Sequence, residues 1–572
     1  MIPVQADADT AARPTEPSGP RLPLRWALPT ALVGGLALAA AFPPAGIWPL
    51  AAAGPALLAV ALHGRSLRAS FCTGLVFGIA FFFPLVSWVV NLAWYAWVAL
   101  AAASAIIFAV LAVGQRLLLR LPAWPVAVAG WWVAAEALRD RWPFGGFPWG
   151  RLAMSQAGSP VQGWAAVGGA PVLTFVVALV AGTLAWLLLT LLPPPTAAGP
   201  AGPAEPGTGP ARRPRLAAGR GKQALAALAL AAAIGIAVLP AALPLDPVPH
   251  GSPTAEVAAI QGDVPRARSL TSQLANDYTV TQNHVTATDN LAAKVRNHQL
   301  PAPNLVIWPE NSTDVDPRYP PIYNEIAGAA AAIDRPILVG AVLQDPERNA
   351  GLLWLPGKGP VAMYIKRQLV PFGEYVPLRG LISKITSLTQ LDPVNFTPGH
   401  SNYVFRVGRI RLGDVICYEI GFDALVRSDV TDGANLLAMQ TNDATFEREG
   451  EITAETGQQL EMARIRAVEH DRAVVVASTT GYSAIIAPDG QIITRSGTWQ
   501  QAELEARVPL ITYTTLADRV GFWPEYVIVA LTIVALGIAT AGALGQRGAQ
   551  RRLPRPRWPR RPRSANSPAG SA

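Results

Sequence analysis

The chain of 572 residues is 51% hydrophobic and only 15% charged, with a mean hydropathy of +0.29. Soluble domains carry about a quarter charged residues, so a wholly soluble protein is excluded and a membrane protein with a sizeable polar part is expected. The net charge of +8 does not argue for nucleic acid. Its densest part is the tail after Leu544, where Arg547, Arg551, Arg552, Arg555, Arg557, Arg560, Arg561 and Arg563 stand without an acidic residue, and such a tail reads as membrane-proximal.

In chain order, residues 1–25 predict a disordered cytoplasmic N-terminus. Apolar stretches able to cross ~30 Å of hydrocarbon follow near 26–43, 46–62, 71–91, 96–114, 122–138 and 170–192, so 26–192 holds transmembrane helices one to six. The first two, broken at Phe42-Pro43-Pro44, form a tight hairpin, and Pro84 is tolerable where neighbouring helices re-satisfy the backbone. The segment before the first run is long and partly acidic, which suits a retained span better than a cleaved signal peptide. Residues 193–223, rich in Pro, Gly and Ala, predict a disordered basic cytoplasmic linker, followed by helix seven at 224–243. A polar domain occupies 252–512, helix eight 522–544, and an Arg-rich cytoplasmic tail 545–572.

Lys and Arg in the short loops 63–68 and 115–121, in the linker and in the tail orient the chain with both termini inside and the polar domain outside a bacterial cytoplasmic membrane. The outer segment 139–160 breaks this rule with Arg139, Arg141 and Arg151. Two readings stay open: a basic loop that meets lipid phosphates, or ordinary scatter.

Inside 252–512, short β-rich runs predict strands at Glu256–Gln261, Asn304–Trp308, Pro336–Leu343, Gly351–Leu355, Val361–Ile365, Tyr403–Val407, Ile410–Ile416, Leu436–Gln440, Ala473–Ser478, Ser483–Ala487 and Gln491–Arg495. Helical patterns lie between, notably Pro321–Ile333 and Glu455–His470. Strands alternating with helices indicate an α/β sandwich. The fold class expected is therefore a polytopic helical membrane bundle of about eight helices plus an α/β sandwich domain. Of the two cysteines, Cys72 lies in an apolar run and Cys417 in the polar domain, so they are not expected to pair. The six histidines show no metal-ligand spacing, and neither a metal nor another cofactor is expected.

Three of the strands break abruptly into a reactive side chain. Leu305-Val306-Ile307-Trp308-Pro309 runs into Glu310, Val361-Ala362-Met363-Tyr364-Ile365 into Lys366, and Val415-Ile416 into Cys417-Tyr418-Glu419. A thiol can cleave an ester or amide and hold the acyl group as a thioester. With a free pKa of about 8.5 it needs a base, which a glutamate supplies, while a fixed lysine stabilises the oxyanion. Each residue alone also has an inert reading, as a buried thiol, a surface ammonium or a strand-capping carboxylate.

Trp308-Pro309-Glu310-Asn311, Lys366 with Pro371-Phe372-Gly373-Glu374-Tyr375-Val376-Pro377, and Cys417-Tyr418-Glu419 together resemble the Glu-Lys-Cys site of the nitrilase superfamily. With the order of spans, Gly145-Gly146-Phe147-Pro148-Trp149, Thr441-Asn442-Asp443-Ala444-Thr445-Phe446 and Met462-Ala463-Arg464-Ile465-Arg466-Ala467, the chain resembles the apolipoprotein N-acyltransferase family over roughly residues 26–544. The resemblance implies Glu310 as general base, Lys366 as oxyanion stabiliser and Cys417 as nucleophile. Glu374 and Glu419 are implied as supporting carboxylates, and Tyr418, Trp308 and Asn442 as neighbours of the substrate. It further implies a ping-pong acyl transfer from a membrane phospholipid to the N-terminal amine of diacylglyceryl-modified apolipoproteins, by a monomer. The chain departs from the family at Thr445-Phe446-Glu447, where Trp-Phe-Gly is usual, and it lacks a tryptophan in 266–278. One rival is a membrane-tethered amidase that uses water as acceptor. A non-enzymatic transporter would expect charged or broken helices at mid-membrane, whereas these spans are nearly charge-free apart from Glu136. Leu378, Leu381, Ile382, Ile385, Leu388 and Leu391 fall at helical spacing and predict an amphipathic helix, either a lid in the headgroup region or a helix packed on the domain.

Overall fold

The computed structural model of the protein describes residues 20–192, 213–242, 248–249, 251–265, 270–382, 395–450 and 454–552. The apolar part of the chain forms α1 (Leu24–Ala40), α2 (Leu50–Leu62), α3 (Leu67–Leu85), α4 (Trp94–Leu118), α5 (Trp124–Arg139), α6 (Trp164–Leu191) and α7 (Arg213–Ala242). By length and composition α3, α4, α6 and the Arg220–Ala242 part of α7 can cross a membrane, while α1 and α2 are shorter apolar helices. α3 stops one residue after Pro84, and a 3-10 turn at Ser87–Asn91 takes the rest of the expected third span. α6 starts ahead of its expected position, at Trp164, and kinks at Gly168 and Gly169, the latter at φ +75°.

One expectation of disorder and one helix boundary are corrected. α7 begins at Arg213, so the end of the expected 193–223 linker is helical. Pro214 falls in the first turn, where no N–H is needed, and the Arg, Leu, Ala, Lys and Gln that follow are good helix formers. The last helix likewise runs to Arg552, into the expected tail. Residues 1–19, 193–212 and 553–572 lie outside the described residues, as do 383–391 of the expected amphipathic helix.

The polar domain follows as β1 (Thr254–Gln261), α8 (Leu270–Arg296), β2 (Leu305–Ile307), α9 (Ile322–Ile333), β3 (Ile337–Leu343), β4 (Arg348–Leu355), β5 (Gly359–Ile365), the single turn α10 (Arg379–Ile382), β6 (Val404–Val407), β7 (Ile410–Ile416), α11 (Asp423–Thr431), β8 (Leu436–Thr441), α12 (Ala454–His470), β9 (Val474–Ser478), β10 (Ala484–Ile486), β11 (Ile492–Arg495), β12 (Ala502–Pro509) and α13 (Leu516–Val520). α14 (Trp523–Arg552) returns to the bundle, and its Trp523–Gly545 part is long and apolar enough to span.

The strands form two six-stranded sheets, ordered β12-β1-β2-β3-β4-β5 and β11-β10-β9-β8-β7-β6. β1, β2 and β3 are parallel, as are β7, β8 and β9. Such strands are covered on both faces and read as continuous apolar runs; all seven residues of β3 are buried. The inner faces meet through Val257, Ile307, Leu338, Phe405, Leu412, Ile416, Ala438 and Val475. α8 and α9 cover the first sheet; α9 does so with Ile322, Ile326, Ala329, Ala330 and Ile333 at helical spacing. α12 covers the second, and its Leu460, Met462 and Ala463 share one core with Phe77, Phe81 and Leu85 of α3. The sandwich and the bundle are therefore a single packed body.

That junction settles the readings of the basic outer segment. Arg151 is 3% exposed; it pairs with Asp423 at 2.7 and 3.0 Å and with Asp140 at 3.2 Å. Arg139 is buried and donates to the Trp149 carbonyl, and Arg141 pairs with Glu525 at 2.7 Å. Arg139 and Arg151 are buried and engaged by the protein itself, so the lipid-phosphate reading fails for these two, while Arg141 stays exposed beside Glu525. Arg466, 0% exposed, joins the same node through Asp423 at 2.6 Å and Glu469 at 2.5 Å.

Candidate active site

β4 runs antiparallel to β3 and β5 antiparallel to β4, so β5 points the same way as β2 and β3. The segments after β2, β5, β7 and β8 thus open at one edge of the sandwich, the usual place for a site in sheets with parallel strands. Glu310, Lys366, Cys417 and Asn442 occupy these four ends. Gly340 on β3 makes room for the first of them: a Cβ there would stand 2.1 Å from the Pro309 carbonyl oxygen.

Lys366 Nζ donates to Glu310 Oε1 at 2.8 Å and to Glu374 Oε1 at 2.9 Å. Asn349 Nδ2 bridges the same two oxygens, at 2.6 and 2.9 Å. The second oxygen of each carboxylate is held by the backbone: Asn442 N donates to Glu310 Oε2 at 3.0 Å and Val370 N to Glu374 Oε2 at 2.8 Å. Two carboxylates, one ammonium and one amide form a closed cluster. Cys417 begins a 3-10 turn with φ +51°, a left-handed conformation unusual for a side chain beyond glycine. Its Sγ is 3.6 Å from Gln459 Nε2.

Burial sets the electrostatics. It raises Glu310 above the usual carboxylate range, with Lys366 opposing and Glu374 adding to the rise. Burial alone would strip the Lys366 proton, but Glu310 and Glu374 outweigh it and hold the ammonium well above the usual lysine range. Burial, reinforced by Glu310 and only partly relieved by Lys366, pushes the Cys417 thiol well up. Burial therefore favours the neutral Cys417 thiol over a free thiolate.

The remaining predicted residues divide by position. Glu419 is 1% exposed and accepts from Arg367 N, Gln368 N, Ile416 N and the Tyr364 hydroxyl at 2.7 to 3.0 Å. It has no hydrogen bond to the Lys366 ammonium among the described residues; it ties the backbone after Lys366 to the backbone before Cys417. Tyr418 donates to the Gly146 carbonyl at 2.7 Å and stacks on Trp149 at 5.4 Å, fastening the Cys417 turn to the segment between α5 and α6. Trp308 is not brought to the cluster. Its side chain is 0% exposed in the core under α8 and α9, with Nε1 donating to Thr288 at 2.9 Å. A tryptophan beside Pro309 reads as a substrate neighbour only while strand direction is ignored, because side chains alternate faces. Asn349 and Gln459 were missed; the signal for Asn349 was a carboxamide at the head of the buried run Ala350-Gly351-Leu352-Leu353-Trp354.

An α/β sandwich with Glu, Lys and Cys at adjacent strand ends, built onto an apolar helix bundle, defines a membrane-embedded enzyme of the carbon–nitrogen hydrolase class. Residues 257–524 match the carbon-nitrogen hydrolase family, and residues 34–183 match the apolipoprotein N-acyltransferase N-terminal domain. The chain is similar to the apolipoprotein N-acyltransferase of Mycolicibacterium smegmatis, 37% identical over 530 residues that cover 90% of this chain and 85% of the relative. That of Azotobacter vinelandii is 28% identical over 559 residues, 92% and 96% of the two chains. The chain belongs to the apolipoprotein N-acyltransferase family and is an acyltransferase. A nitrilase-superfamily amidase from Nesterenkonia overlays 46% of the chain and 93% of its own, with 20% identity and a TM-score of 0.33.

Proposed function

We propose that the protein moves an acyl chain from a membrane phospholipid to the free N-terminal amine of a diacylglyceryl-modified apolipoprotein in two half-reactions at Cys417. In the first, Glu310 takes the thiol proton as Sγ attacks the ester carbonyl, and the Lys366 ammonium holds the oxyanion. The ester C–O bond breaks, Glu310 returns its proton to the leaving alkoxide, and a lysophospholipid departs from a Cys417 thioester. In the second, the acceptor amine attacks the thioester carbonyl, the C–N bond forms and the C–S bond breaks. The proton lost from nitrogen passes by way of Glu310 to the sulfur, which restores the resting thiol.

Glu374 and Asn349 act by holding Glu310 and Lys366 in register. The observation that carries this reading is the buried Glu310–Lys366–Glu374–Asn349 cluster on a domain that shares its core with an apolar bundle. The shared core favours transfer between two membrane-anchored substrates over hydrolysis of a small amide, for which one tether would suffice; confinement to a bilayer raises their encounter probability. The reading takes the enzyme as a monomer, since all the reacting groups come from one chain. It takes the domain as extracytoplasmic and both termini as cytoplasmic in the bacterial inner membrane, and Arg65 and Arg120 in the short loops, with Arg68 and Arg116 at the adjoining ends of α3 and α4, support that orientation. It is tested by mass spectrometry of wild type and Cys417→Ala after incubation with phospholipid vesicles. An acyl adduct on the Cys417 peptide, absent from the variant, is expected; lysophospholipid release without any adduct on Cys417 would overturn it.

A further inference from the structure

A second group of buried carboxyls lies beside Cys417, and the steps above leave it unused. Gln459 Nε2, which faces Cys417 Sγ at 3.6 Å, also donates to Glu455 Oε1. Glu455 is 1% exposed and faces Asp443 and Glu447. Asp443 is satisfied, accepting from Thr441 and from Ser478 Oγ at 2.6 Å. Glu455 stands against the Asp443 carboxyl, whereas Glu447 Oε2 is buried without a hydrogen-bond partner. Glu447 is 6% exposed, with its first oxygen fixed by Thr456 N at 3.0 Å.

Glu447 lines a cleft of about 190 Å3 with Ser87, Trp88, Val90, Asn91, Phe446 and Ala454, and Arg448 is the charged neighbour on its wall. Trp88 and Phe446 meet edge to face at 5.1 Å, and Asn91 Nδ2 donates to the Phe446 carbonyl at 2.9 Å. The cleft stands where α3 gives way to α4, next to the exposed aromatics Trp94 and Tyr95, as expected at a membrane–water boundary. A buried carboxylate oxygen with no donor, in the wall of a cleft shared with Trp88 and Phe446, suits a cation.

We propose that Glu447, backed by Glu455, receives the primary ammonium of the acyl acceptor in this cleft and removes its proton before the amine attacks the Cys417 thioester. The proposal rests on the two-step reading above. The proton leaves nitrogen for the Glu447 carboxylate, giving a neutral amine and a carboxylic acid, and returns to water through the cleft once product departs. Burial, with the Asp443 charge adding, lifts Glu447 to about 8, close to the value of about 8 for an α-amino group, so the transfer is nearly balanced.

The two half-reactions are measured separately between pH 6.5 and 9.5. Acylation is followed as the Cys417 adduct from phosphatidylethanolamine or phosphatidylglycerol vesicles, and transfer as loss of that adduct to a dipalmitoylglyceryl-cysteinyl peptide. For Glu447→Gln, acylation proceeds with either lipid, while transfer near pH 8, where the Glu447 carboxylate and the acceptor ammonium coexist, slows about 10²-fold, the usual worth of a positioned base. The deficit shrinks toward pH 9.5, where the amine is already neutral. Glu455→Gln shows the same pH-dependent deficit with a smaller amplitude. Transfer by Glu447→Gln at the wild-type rate at every pH overturns the proposal, as does an equal loss in both half-reactions. An acylation deficit confined to the ethanolamine lipid also overturns it, since the ammonium read would then be the donor's. If wild type forms no adduct at all, it is the two-step reading that fails.

Discussion

Replacing Asn349 with leucine keeps the volume of the side chain and removes the one amide that donates to both carboxylates of the cluster, at 2.6 and 2.9 Å. A hydrogen bond to a charged group is worth about 1.5–3 kcal/mol. Lys366 still serves both oxygens, so the lower end applies, about 3 kcal/mol for the two bonds. If that anchoring is expressed in the transition state, acylation slows about 10²-fold at ~1.4 kcal/mol per decade. The sign of the pH effect follows from the same contact. The Asn349 bond lowers Glu310, and Glu310 must be ionised to accept the thiol proton, so its loss moves the acid limb of the acylation profile to higher pH. The assay is lysophospholipid release in the first turnover against pH, with the melting temperature of the detergent-solubilised enzyme as a control. Wild-type acylation by Asn349→Leu with an unmoved acid limb would refute the reasoning that the cluster positions the base.

Trp308→Phe keeps acylation within a few-fold, because the indole lies in the core and loses only its Thr288 bond; Trp308→Ala costs about 3–5 kcal/mol in a thermal or denaturant melt. Gly146→Ala, at φ +93° with a Cβ 2.0 Å from the Asp140 carbonyl carbon, disturbs the turn whose carbonyl receives Tyr418, and lowers both melting temperature and acylation. Burial tends to raise Asp423, but Arg151 and Arg466 prevail and hold it below the usual carboxylate range. Its contribution to stability is therefore full above the unfolded-state value of about 4 and lost as pH falls toward the lower folded-state value. Melting curves from pH 6 to 3 should show that acid limb in wild type and a flatter one in Asp423→Asn, which starts less stable because two buried guanidiniums lose a partner.

How far the sequence reached follows the physics of each element. Continuous apolar runs with breakers at their ends, as in β3 and β9, announce buried parallel strands, and each of the eleven expected strands overlaps an observed one. β12 escaped because Glu503, Glu505 and Arg507 dilute an edge strand that buries only Leu504 and Val508. α8 escaped because Val280, Ala287, Leu291 and Ala292 are spread through an otherwise polar helix. In the site, Glu310, Lys366 and Cys417 stood out as charge or thiol at strand ends, a local signal. The partners of these residues are non-local: Asn349 reaches Glu310 across 39 positions, and Arg151 meets Asp423 across 272. Nothing in the composition of 139–160 reveals that Arg141 and Arg151 meet Glu525 and Asp423 so far along the chain, which is why the sequence left two readings of the segment open.

The most direct test of the account is the state of the Cys417 sulfur after one exposure to phospholipid without acceptor. Intact-protein and peptide mass spectrometry should find one acyl chain on the Cys417 peptide, in step with the lysophospholipid released, and none in Cys417→Ala. Adding a diacylglyceryl-cysteinyl peptide should then discharge the adduct onto the peptide's amine. Acyl transfer to that peptide by Cys417→Ala, or turnover in wild type with the thiol never acylated, would contradict the account.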